Sequence, residues 1–101
     1  MEDIEDENVN VKNVGMLKTF CLMNLRRYSD ALVIINKMIE KDIYNFSMWV
    51  FKVNCHYFND EKDIANKSLK ELERIADRND KKQLVEVTHI SNLIRDSKKS
   101  N

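Results

Sequence analysis

Proline is absent from this chain and glycine occurs once, at Gly15, among 101 residues. Strands need those two residues at their turns, so a chain without them is not a sandwich, a barrel or a meander. An all-α fold is the class that remains. No apolar run approaches the ~20 residues of a membrane span, and the N-terminus lacks the basic stretch and apolar run of a secretory signal. The C-terminal DSKKSN is no lipidation motif. These absences lead us to expect a cytoplasmic protein with no membrane insertion. Cys21 and Cys55 are the two cysteines. Each has apolar helical neighbours, so both are expected as reduced, buried thiols. There is no CxxC, no HxxxH and no carboxylate–histidine cluster, and adjacent Cys55 and His56 point about 100° apart on a helix. No metal site is expected. A Gly-rich phosphate loop, a paired carboxylate and a Ser-His-Asp set are missing too, so the chain carries no catalytic constellation of its own.

What is present is charge and helical periodicity. Charged residues make up 34% and apolar residues 43%, with 17 bases balancing 17 acids. The balance is uneven. The first eight residues, MEDIEDEN, hold five acids and no base, which leaves 17 bases against 12 acids (+5) in the remainder. Residues 1–10 therefore read as an acidic, solvated, disordered tail, and 11–98 as the helical-repeat domain. An excess this small, without a basic run or interleaved aromatics, does not point to nucleic acid.

Five helices follow from the apolar spacing. The first, about 11–25, has Val14, Leu17, Cys21 and Leu25 on one line, with Met16, Phe20 and Met23 beside it. Ser29 is placed to cap the second, about 30–41, with Asp30 in its first turn. Asn45 can cap the third, about 46–58, where Phe46, Trp49, Val50, Val53 and Tyr57 recur one turn apart. The fourth, about 62–78, carries Ile64, Ala65, Leu69, Leu72 and Ile75. Asp80 and Gln83 form a capping-box pattern opening the fifth, about 81–95. Short turns make these helices antiparallel neighbours.

Ala31 and Ala65 hold the same place just after a turn and lie 34 residues apart. That is a helix-pair repeat spacing, and small residues there let paired helices approach. The expected architecture is α-solenoid-like: two hairpins plus a terminal helix. Trp49, sixteen positions before Ala65, fits the tetratricopeptide pattern, although Lys52–Val53 stand where that repeat has Leu-Gly.

A second helical-hairpin family matches more positions. The segment Ala31-Leu32 to Ile39, followed by Asn45, Phe46, Ser47, Trp49, Phe51 and Lys52 (N-F-S-M-W-V-F-K), resembles a repeat of the α subunits of protein farnesyltransferase and geranylgeranyltransferase type I. Further on, K82-Q-L-V-E-V-T-H89 keeps only the lysine and histidine of a second such repeat. The resemblance implies a non-catalytic subunit in a heterodimer that moves an isoprenoid from its diphosphate to a protein cysteine. Zinc and the lipid tunnel would then belong to a partner β subunit, with no cofactor in this chain. It also implies that Lys82, with Lys81 beside it, lies near the diphosphate. The alternative is a tetratricopeptide-like scaffold for protein–protein interaction with no enzymatic role. Either way the Asn45 cap, aromatics filling an inter-hairpin groove, and Lys52 laid over Trp49 are expected on physical grounds.

Overall fold

The computed structural model describes residues 4–99, with side chains over 14–96. Five helices follow one another: α1 (Ile4–Asn24), α2 (Tyr28–Lys41), α3 (Phe46–Phe58), α4 (Lys62–Ile75) and α5 (Lys81–Lys99). No strand occurs among the described residues. The all-α, five-helix expectation holds. Boundaries differ in four places, one being the start of α2, at Tyr28 rather than near residue 30. α1 starts at Ile4 rather than near residue 11, inside the acidic stretch. α4 stops at Ile75, where Ala76 turns extended, instead of continuing to 78, and α5 runs on to Lys99.

Each helix packs on the next. In addition α3 touches α1 and α5, whereas α2 and α4 do not touch. The odd-numbered helices thus form one layer and the even-numbered helices a second, as in a stack of hairpins. The core between them contains Ala31, Ile35, Met48, Val53, Cys55, Ala65, Leu72 and Ile90. Ala31 and Ala65 are completely buried. Each is the fourth residue of its fourteen-residue helix. Gly15 serves the same end in α1: a Cβ there would lie 2.7 Å from the Met38 sulfur.

The repeat extends to the backbone. Arg26 and Asp60, 34 positions apart, both adopt the left-handed conformation. Around them the hydrogen bonds duplicate. Arg27 N–H donates to Leu22 O at 2.8 Å and Glu61 N–H to His56 O at 2.7 Å, while Arg26 N–H donates to Met23 O and Asp60 N–H to Tyr57 O. This is the Schellman closure, ordinarily made with glycine. Here it is made twice without one.

Capping departs from expectation at α2. The helix begins at Tyr28, so Ser29 lies inside it and the N-cap is Arg27, which offers no side-chain acceptor. Arg27 instead pairs with Asp30 at 2.7 Å across the first turn. At α5 half of the capping box forms. Asp80 Oδ1 accepts from the N–H groups of Lys82 and Gln83, but Gln83 Oε1 accepts from Asp77 N–H. The fixed 76–80 loop therefore uses Gln83 to hold its far end.

Candidate functional site

The octapeptide 45–52 is a brace. Asn45 Oδ1 accepts from Met48 N–H at 3.3 Å and caps α3. Trp49 is buried, and its indole N–H donates to Ile43 O at 2.8 Å, tying the α2–α3 loop to α3. Lys52 Nζ lies 5.1 Å from the Trp49 ring centroid, a cation–π contact that leaves the ammonium at the surface. Phe46 and Phe51 are half-buried against the core, and Ser47 is exposed. Nothing in this set is reactive. The loop bond from Trp49 was not legible in the sequence, since Ile43 offers only a backbone oxygen.

Lys81 and Lys82 stand exposed in the first turn of α5. His56 does not turn to Cys55. Its Nδ1 lies 2.9 Å from Glu61 Oε1, which Asn59 also approaches, at 3.2 Å. These bonds, the His56 one first, hold the Glu61 carboxyl below its usual range. Among the described residues no group of three or more His, Cys, Asp and Glu is placed to hold a metal ion. No helix there is long and apolar enough to cross a membrane.

The two cysteines part company. Cys55 is fully buried, and burial pushes its thiol up to about 11. Cys21 is exposed, contrary to the expectation of two buried thiols. It belongs to a larger reversal on α1. Val14, Leu17, Cys21 and Leu25, the line expected to face the core, all face solvent, with Leu17 61% and Leu25 66% exposed. The opposite side of α1 packs inward through Gly15, Met16, Thr19, Leu22 and Met23. Thr19 is fully buried and satisfies its hydroxyl by donating to Gly15 O at 2.8 Å. Phe20 joins the exposed side. The outer side holds a shallow groove of about 330 Å³ lined by Val14, Leu17, Lys18, Cys21 and Leu22.

Repeat equivalence compares part of this face with α3 and α5. Moving 34 residues along takes Val14, Lys18 and Cys21 to Met48, Lys52 and Cys55. The α4–α5 loop (76–80) is one residue longer than the α2–α3 loop (42–45), so a 35-residue step takes these on to Gln83, Val87 and Ile90. Met48, Cys55 and Ile90 are buried, and Lys52, Gln83 and Val87 half-buried. The three equivalents on α1 are all exposed. Beyond the neighbours of the kind α1 has, α3 touches the hairpin that precedes it, α1–α2. The other exposed α1 positions do not follow this pattern: Leu17 and Phe20 map to half-buried Phe51 and Asn54 on α3 and to exposed Glu86 and His89 on α5.

A second feature, absent from the sequence reading, is an aromatic corner. Tyr28, the first residue of α2, stacks on Phe58 with centroids 6.4 Å apart, and Tyr57 meets Phe58 edge-on. It joins the start of α2 to the end of α3, with Phe58 more than half exposed. The chain matches no protein-family model, no curated protein and no solved structure.

Proposed function

We propose that this chain is a non-catalytic helical-hairpin scaffold that acts by docking a protein on the outer face of α1. The observation that carries this reading is the bare stacking face. Val14, Lys18 and Cys21 are exposed, while their repeat equivalents on α3 and α5 are buried or half-buried. Contiguous exposed apolar surface of this kind marks interaction sites, and an amphipathic helix laid in such a groove is a common docking mode. The test is affinity purification of the tagged chain from its native cells. Wild type is compared with Leu17→Lys, a surface change that leaves the inner packing intact. A partner retained by wild type and lost from Leu17→Lys supports the reading, and equal retention refutes it.

A narrower reading is favoured by one observation, the order of residue types from Asn45 to Lys52. In it the docked protein is the zinc-bearing β subunit of a protein prenyltransferase, and this chain is the α-like subunit, with Lys81 and Lys82 near the isoprenoid diphosphate. A copurifying zinc protein with prenyl-transfer activity, lost when both lysines become alanine although assembly persists, supports it. Assembly with activity unchanged in the double variant removes the lysines from that role.

A further inference from the structure

We infer that Ser29 is a phosphorylation site for an arginine-directed serine/threonine kinase, and that the phosphate it gains caps the start of α2. The inference is independent of the docking reading above.

The first observation is the order of residues. Arg26 and Arg27 stand three and two positions before Ser29. Kinases discriminate among substrates by charge pattern, and one large class holds arginines at these two places with carboxylates of its peptide cleft. Among the serines and threonines whose side chains are described, Ser29 alone has an arginine or lysine two or three positions before it.

The second is access. Ser29, Arg26 and Arg27 are all exposed, and neither the Ser29 hydroxyl nor the Arg26 guanidinium has a partner among the described residues. Arg27 pairs with Asp30 at 2.7 Å, but both side chains are more than half exposed, and such surface pairs open at little cost. The two arginines lie in the turn ahead of α2 and Ser29 lies in its first turn, the part of a helix that frays.

The third is what the start of α2 lacks. Its N-cap, Arg27, makes no side-chain capping bond, and the first backbone bond of the helix runs from Ala31 N–H to Arg27 O. The N–H groups of Tyr28, Ser29 and Asp30 therefore have no acceptor. α4 starts one repeat later, at Lys62, and there Asp63 takes the place of Ser29, 34 positions on. A carboxylate thus stands permanently in the first turn of α4 where α2 has a hydroxyl. In the kinase reaction the Ser29 oxygen bonds to the γ-phosphorus of ATP, its proton passes to the kinase's base, and the bond to ADP breaks. The product carries about −1.5 to −2 charges. They lie at the positive end of the helix dipole, with oxygens to accept from the bare N–H groups and two arginines close by in the chain.

The test incubates the folded full chain with ATP and the catalytic subunit of cyclic-AMP-dependent protein kinase as probe, and locates the acceptor by fragmentation mass spectrometry. One phosphate on Ser29 is expected, none in Ser29→Ala, and roughly tenfold or more slower transfer in the Arg26→Gln, Arg27→Gln double variant. Circular dichroism checks that each variant is folded. A peptide of residues 22–34 shows that the kinase is competent. If the peptide is modified and the folded chain is not, or the chain is modified only elsewhere, the site is overturned. An unchanged rate in the double variant overturns its reading by the arginines. The cap is tested on chain phosphorylated to completion. Its urea midpoint should rise above that of the unmodified chain, and rise less in Arg26→Gln. A midpoint that stays or falls overturns the capping role.

Discussion

Arg26 and Asp60 stand one repeat apart in the same left-handed backbone conformation, with φ of 62° and 63°. Each closes an odd-numbered helix by the same pair of backbone hydrogen bonds and starts the even-numbered helix that follows. Left-handed φ costs a side chain about 1–2 kcal/mol, and glycine there avoids the cost at the expense of a more flexible unfolded chain. Arg26→Gly is expected to stabilise the fold by about 0.5–1 kcal/mol. Asp60→Gly should gain less, since aspartate tolerates this conformation better. Urea denaturation of both variants checks the order.

Trp49 joins three contacts: core packing, the bond to Ile43 O, and the Lys52 ammonium over its ring. Trp49→Ala should destabilise by about 3–5 kcal/mol as a large core truncation. Trp49→Phe keeps an aromatic filler but strands the Ile43 carbonyl, and should cost about 1–3 kcal/mol. A Trp49→Ala protein that unfolds cooperatively at the wild-type urea midpoint would mean that the inter-hairpin brace is not structural.

Burial raises the Cys55 thiol from 9.0 to about 11. A raised folded-state pKa means the folded chain holds its proton longer than the unfolded chain. The associated stability is intact below pH 9 and is lost as pH rises toward 11. The thermal midpoint should therefore fall across that window, and Cys55→Ala should flatten the fall. At pH 8 in the native state, iodoacetamide should modify Cys21 and leave Cys55 until unfolding.

At acid pH the relevant clasp is Glu61 with His56 and Asn59, across the turn at Asp60. Its carboxyl is held below 4.5 by those hydrogen bonds, so its contribution is present above pH 4.5 and is lost as pH falls through the lowered folded value. Glu61→Gln should reduce the acid-side slope of the stability curve. An unchanged slope in Glu61→Gln would show the clasp to be idle.

Much of the fold is written locally. The near-absence of glycine and proline, the 3.6-residue periodicity and the Asn45 cap determined five helices. The 34-residue separation of Ala31 and Ala65 marked a repeat that the backbone follows through both of its left-handed turns. Lys52 over Trp49 was legible because both contacts lie within one helix turn. The α2 cap was not, because Ser29 is a good capping type but the Schellman closure at Arg26 starts the helix one residue earlier than Ser29. The face of α1 was out of reach for a deeper reason. That helix is apolar around most of its circumference, and periodicity shows which residues share a face without showing which neighbour meets it. Tertiary packing decided it. Gly15 lies against Met38 of α2 and Thr19 is buried, both small enough for close approach, and the larger Val14, Leu17, Phe20 and Leu25 are left outside. Cys21 and Cys55 hold equivalent places in α1 and α3, yet the packing leaves the first exposed and buries the second, a difference no local pattern carries.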